Sequence, residues 1–116
     1  MIENLNGIHE TVKYKENSNV KLFINAEAED YPIHWHTPME IIMPLEGGYT
    51  VQIGDDLVHL NESDIIFIAS GVKHRLIAPD TGKRLILQIE WSAVSKIKEL
   101  NSILTLIAPA ITLTPE

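Results

Sequence analysis

Short apolar runs, each closed off by turn residues, leave this chain few choices other than an antiparallel β fold. Tyr49–Ile53 sits between Gly47-Gly48 and Gly54-Asp55-Asp56, and Leu57–Leu60 follows directly. A Gly-Asp pair between two such runs is a hairpin signal, because glycine accepts the positive φ that a tight turn demands. Further along, Pro79-Asp80-Thr81-Gly82 separates a run ending at Ala78 from one beginning at Arg84. Proline presets φ there, and Asp and Gly close the turn. Val20–Ile24, Ile65–Ala69 and Met39–Leu45 complete the series, the last apolar on both parities and so suited to a strand covered on both faces. Ile8, Val12 and Tyr14 alternate with polar neighbours and predict a further strand near the N-terminus. Leu85, Leu87, Ile89 and Trp91 share one parity of the last run. Many short strands with regular turn punctuation predict an all-β barrel or sandwich.

The period then changes. Val94, Ile97, Leu100, Leu104 and Ile107 fall on one helical face, with Ser92 placed as N-cap and Pro109 as stop. This stripe either packs against the chain's own barrel or meets a second subunit. The tail APAITLTPE is expected to lie outside the fold, and the chain to continue into a longer protein. The expected division is residues 1–92 as the β domain and 93–116 as helix and tail.

Charge and composition exclude several classes of function. Nine Lys and Arg against sixteen Asp and Glu leave a net charge of −7, without the basic face that gripping nucleic acid requires. No apolar run approaches the roughly 18 residues of a membrane span, and no secretory signal opens the chain. A cytoplasmic protein is expected. With no cysteine, any metal has to be held by His, carboxylate and water.

The stretch His34-Trp35-His36-Thr37-Pro38-Met39-Glu40 carries the chemistry. Two histidines two residues apart project from the same face of a strand, and Glu40 shares their parity. Pro38 breaks the helix that would otherwise align His36 with Glu40. A lone His beside a sheet is usually a satisfied polar residue, but a carboxylate buried without a partner is costly, so a His-His-Glu set on one face is harder to dismiss.

Here the chain resembles the cupin family. His34 and His36, Glu40 and Gly47 match that family's first motif at its spacing, with Ala28 where its leading glycine would stand. Gly71 and His74 match the second motif, while Ser63, Ala69 and Ala78 replace its glycine, proline and asparagine. The resemblance implies a cupin jelly-roll barrel, a double-stranded β-helix, followed here by the C-terminal helix. It also implies metal-binding positions at His34, His36, Glu40 and His74. Three imidazoles and a carboxylate suit Zn, Fe, Mn, Ni or Cu(II); the same four can instead line a metal-free polar pocket that bonds water or an organic effector.

The wider run from Ile8 to Ser92 is similar to the N-terminal sensor half of AraC-type transcription regulators. The similarity implies a domain that binds a small effector, such as a sugar, and dimerises. DNA is then reached only through a helix-turn-helix half that lies beyond this chain. It implies further that the segment from Met1 to about Tyr14 folds over the barrel mouth. The competing reading is a stand-alone metal cupin enzyme of isomerase or dioxygenase type. Among single residues, Trp35 has the opposite parity to the histidines and is expected to point away from the site. Tyr31, Tyr49 and Trp91 are expected in the core, with sugar stacking as the alternative. Gln52 and Gln88 face either the barrel interior or solvent. His9 and His59 are read as non-ligands, and Lys96, Lys98 and Glu99 as the wet face of the helix.

Overall fold

A computed structural model describes residues 4–115 apart from 16, 17, 29, 80 and 108. The expected turn residue Asp80 and residues 1–3 of the N-terminal segment therefore lie outside the described residues. So do the side chains of Leu104 and Ile107 in the expected stripe.

The chain runs through β1 (Leu5–Asn6), β2 (His9–Glu10), β3 (Val20–Asn25), β4 (Tyr31–His34), β5 (Met39–Glu46), β6 (Tyr49–Ile53) and β7 (Asp56–Leu60). It continues through β8 (Ile65–Ile68), β9 (His74–Ile77), β10 (Lys83–Ile89), α1 (Trp91–Val94), α2 (Lys98–Ile107) and β11 (Ala110–Leu113). A five-stranded sheet, in the order β11-β8-β5-β10-β3, faces a four-stranded sheet, β4-β9-β6-β7. Every ladder in both is antiparallel. Together they form the expected all-β jelly roll.

Ile42, Ile66, Ile68 and Ile86 from the five-stranded sheet interdigitate with Tyr49, Val51, Leu60 and Leu76 from the other. Each is almost fully removed from water, and burying one such aliphatic side chain stabilises the fold by roughly 1.5–3 kcal/mol. Beside this core the fold also buries Asn25, His34, His36, Glu40, His74, Arg84 and Gln88.

The inward parity of β10 is Arg84, Ile86 and Gln88, all buried. The aliphatic set Leu85, Leu87 and Ile89 faces outward, half-buried. The same inversion holds in β3, where Phe23 and Asn25 turn inward while Val20, Leu22 and Ile24 lie exposed on the outer face. Register places Leu22 against Leu87, and Leu87 against Ile41. The row continues from Ile41 to Phe67 and from Phe67 to Ile111.

The hairpin turns form where glycine permits them. Gly47, Gly54 and Gly82 all have positive φ. Gly82 is the most constrained, since a Cβ there would collide with the Glu46 carbonyl oxygen.

Three expectations need correction. Val12 and Tyr14 are not in a strand: the N-terminal segment forms the short β1-β2 hairpin, which also bridges to Trp35. The tail does not lie outside the fold, because Ala110–Leu113 adds the outermost strand beside β8. The helix is broken in two, starting at Trp91 with Glu90 as N-cap, so Ser92 lies inside its first turn. Of the expected stripe, Val94 is buried while Ile97 and Leu100 remain exposed. No helix among the described residues is long and apolar enough to cross a membrane.

Candidate metal centre and cavity

His34 ends β4 and His36 lies in the connection to β5, where Glu40 is the second residue; His74 opens β9. The set is therefore not carried on one continuous strand, as parity alone suggested. Pro38, which cannot donate to a ladder, sits in the break between β4 and β5. His34 is nonetheless the cross-strand partner of His74, which brings the two motifs face to face.

All four side chains are buried, each at 3% exposure or less. The ring Nδ1 of His34 lies 2.8 Å from the Pro32 carbonyl, that of His36 2.9 Å from the Pro38 carbonyl, and that of His74 2.8 Å from the Val72 carbonyl. A carbonyl can only accept, so in each ring Nδ1 carries the proton and donates it. The three Nε2 lone pairs then point at a common space, and one ligand atom from each ring lies within 4.8 Å of the others.

Glu40 reaches the same space. Its Oε2 lies 3.2 Å from His74 Nε2, and its Oε1 lies 3.6 Å from His36 Nε2. Yet His36 Nε2, His74 Nε2 and Glu40 Oε2 all lack a hydrogen bond of acceptable geometry. Lone pairs facing a carboxylate at this range repel unless positive charge lies between them, so the set calls for a proton or a cation. Buried orphaned acceptors of this kind fit a divalent transition ion.

Gln88 donates its side-chain amide to Glu40 Oε1 at 2.9 Å, which leaves Oε2 as the free oxygen. Its partner parity was undecided in sequence; the interior is its place. Gln52 instead donates to the Gly54 carbonyl in the neighbouring turn.

The electrostatics follow from this crowding. Burial lowers the His34 imidazole to about 4, and the nearby His74 ring acts in the same direction. Burial also pulls on His36, but attraction between its protonated form and the neighbouring Glu40 carboxylate outweighs it and raises that ring. For Glu40, burial acts upward, while the His36 and His74 rings more than cancel it and hold the carboxyl well below its usual range.

The centre opens into a cavity of about 470 Å³ bounded by His34, Glu40 and Gln88 at one end and by Asn25, Glu27 and Tyr31 at the other. That volume is in the range that holds small organic ligands. Leu76 and Ile86 give it an apolar wall, and Lys21 lines it as well. The Tyr31 hydroxyl accepts from Asn25 and donates to Glu27. Its pKa is pushed up to about 12, mostly by burial and then by the Glu27 charge. Arg84 is buried beneath, donating to Asn25 Oδ1 and the Glu27 carbonyl, with its guanidinium 4.3 Å from the Tyr49 ring centre.

The remaining single residues divide cleanly. Trp35 packs on the N-terminal hairpin, its ring stacked on His9 with centroids 4.1 Å apart. His59 bonds the Thr50 hydroxyl on the surface. Tyr49 is core, and Trp91 begins α1 half-buried. The residues missed in sequence are Asn25, Arg84 and Glu10. Asn25 and Arg84 interrupt otherwise apolar strands, a signal that was present. Glu10, 3.6 Å from His34 Nε2, carried none, because only the folding of the N-terminal hairpin brings it there.

A jelly roll with a histidine-rich polar mouth defines the protein class. Residues 22–89, more than half of the chain, match the family described as Cupin domain, and the chain belongs to the cupin family. A cupin-2 domain protein from Shewanella frigidimarina shares the fold with a TM-score of 0.58 at 19% identity, over 66% of this chain and 76% of that one. A structure of oxalate decarboxylase does so with a TM-score of 0.56 at 21% identity, over 64% of this chain and 22% of the enzyme. In sequence, 55 residues are 34% identical to the uncharacterized HTH-type transcriptional regulator YdeC of Bacillus subtilis strain 168. That match covers 47% of this chain but only 19% of the regulator's length.

Proposed function

We propose that this chain is the small-molecule-sensing cupin domain of an AraC-type transcriptional regulator, with a divalent ion at His34, His36, Glu40 and His74. One observation carries the reading: of a buried set of imidazole lone pairs joined by a carboxylate, His34 and Glu40 line a cavity of ligand size. Likeness to a helix-turn-helix regulator supports the sensing role over the catalytic one. Zn, Ni, Fe, Mn or Cu suits the donor set, and such an ion, held by His34, His36, Glu40 and His74, would supply Lewis acidity toward an anionic or hydroxylated effector. The chain's own groups do the rest. Gln88 fixes Glu40, while Asn25, Tyr31 and Lys21 offer hydrogen bonds to the distal part of the effector.

In this reading residues 1–92 sense, residues 93–116 lead towards a DNA-binding half, and the whole acts in the cytoplasm as a homodimer. The exposed apolar residues Leu100 and Ile103 on α2 supply a dimer contact. An effector shifts the arrangement of the halves only by the difference in its affinity for the two states.

A metal cupin enzyme of isomerase or dioxygenase type is the second reading, favoured by the complete donor set and a second carboxylate, Glu10, beside it. A thermal-shift screen of the Zn(II)-loaded protein against sugars, uronates, carboxylates and amino acids separates the two. A compound that raises Tm and is recovered unchanged by NMR supports the sensor. Conversion of that compound supports the enzyme, and no stabilising compound from any class overturns effector binding.

A further inference from the structure

The N-terminal hairpin is lashed to the residue between the first two ligand positions. Trp35 N–H donates to the Ile8 carbonyl at 2.8 Å, and Glu10 N–H donates to the Trp35 carbonyl at 2.9 Å. The His9 ring stacks on the Trp35 ring. Across the hairpin itself, Thr11 N–H donates to the Asn4 carbonyl at 3.1 Å. With its backbone held on Trp35, Glu10 turns its carboxylate into the cavity, and Oε1 comes to 3.6 Å from His34 Nε2.

Two atoms bound to one ion at roughly 2.1 Å each sit no more than about 4.2 Å apart. The Glu10–His34, Glu40–His36 and Glu40–His74 separations of 3.6, 3.6 and 3.2 Å all satisfy that limit. Glu10 thus approaches the cluster on the side of His34 and Glu40 on the side of His36 and His74, an arrangement of two carboxylates that a shared cation stabilises and that repels itself without one.

We propose that Glu10, delivered by the N-terminal hairpin, is a further ligand of the ion held by His34, His36, Glu40 and His74, so that loading the centre pins the hairpin over the cavity. This rests on the metal-centre reading and extends it from a passive site to one whose occupancy is felt by the N-terminal segment. An effector entering the cavity then has to pass, or displace, the same carboxylate.

The test is Co(II) titration by calorimetry together with amide hydrogen exchange at residues 4–15, for wild type, Glu10→Gln, Glu10→Asp and His74→Ala. Wild type is expected to bind one Co(II) and to gain protection in the hairpin on loading. Glu10→Gln is expected to bind at least tenfold more weakly, with hairpin exchange unchanged by the ion. Glu10→Asp keeps the charge but shortens the reach; it should behave like Glu10→Gln, and wild-type behaviour overturns ligation in favour of long-range attraction. Equal affinity in wild type and Glu10→Gln overturns the role of Glu10 alone, provided that His74→Ala abolishes binding. No Co(II) uptake by wild type overturns the centre itself.

Discussion

Gln88 and Glu40 are direct cross-strand partners on β10 and β5, and the amide of one holds a carboxylate oxygen of the other at 2.9 Å. A group that orients a ligand without touching the ion acts through position, and removing one typically weakens metal affinity 10–100-fold. Gln88→Leu is therefore expected to lower Co(II) affinity by that range while leaving one-to-one stoichiometry intact, measured by calorimetry. Unaltered affinity would show that Glu40 needs no support.

His74 couples the two halves of the site, since it is paired with His34 and faces Glu40. His74→Ala should abolish the Tm increase produced by Zn(II) or Co(II). At an ion concentration a hundred times the dissociation constant, binding to the folded state alone adds about 2.7 kcal/mol in wild type. Differential scanning fluorimetry with and without the ion reads the difference, and a gain in Tm that survives the substitution would place the ion elsewhere.

The chelated protein should lose stability on acidification. His34 titrates at about 4 when folded against an ordinary value of 6.5, so between those values the unfolded chain takes up a proton that the folded chain refuses. Glu40 lies below its ordinary 4.5, and its contribution, present above that value, is lost as pH falls further. His36 is raised, so its contribution is present below 6.5 and fades as pH climbs through its folded value. The slope from pH 6.5 to 4 is set first by His34, worth at most about 3 kcal/mol. Denaturant melts in EDTA at pH 7 and pH 5 should show lower stability at pH 5, and His34→Phe should flatten the difference.

The inverted parity of β3 and β10 makes a sharp contrast available. Ile86 is 1% exposed and Leu22 is 60% exposed. Ile86→Ala is expected to cost 2–5 kcal/mol, approximately the range for emptying a packed core position, whereas Leu22→Ala should stay within about 0.5 kcal/mol. Urea melts with matched m-values decide it, and equal losses would contradict the placement of these strands.

Leu100 and Ile103 are three residues apart on α2, hence on one face, and both are exposed in the single chain. The double change to Lys should turn a dimer into a monomer in light scattering. A mass unaffected by both charges would move the subunit contact off this helix.

Much of the fold was legible, because glycine and proline punctuate the strands of the two main sheets where the chain must turn. Runs such as Tyr49–Ile53 and Ile65–Ala69 appear as strands within a residue of their expected ends. The four ligand candidates came from spacing and resemblance, and the fold places them in one buried cluster. What alternation hid was direction. Leu85, Leu87 and Ile89 look like the core parity of β10, yet the cavity claims the other face, and Arg84 and Gln88 go inward with Ile86. A strand that lines an interior cavity with polar groups reverses the usual rule that the apolar side is the buried one. Glu10 and the β11 pairing were beyond reach for a different reason. Both depend on which distant strand edge a short, weakly patterned segment finds, and local composition does not encode that.

The imidazole protons are handed to main-chain carbonyls two positions away, at Pro32, Pro38 and Val72. Ring orientation is thereby written into the backbone rather than borrowed from neighbouring side chains. Residues around the chamber can be exchanged without the tautomers ever having to be chosen again.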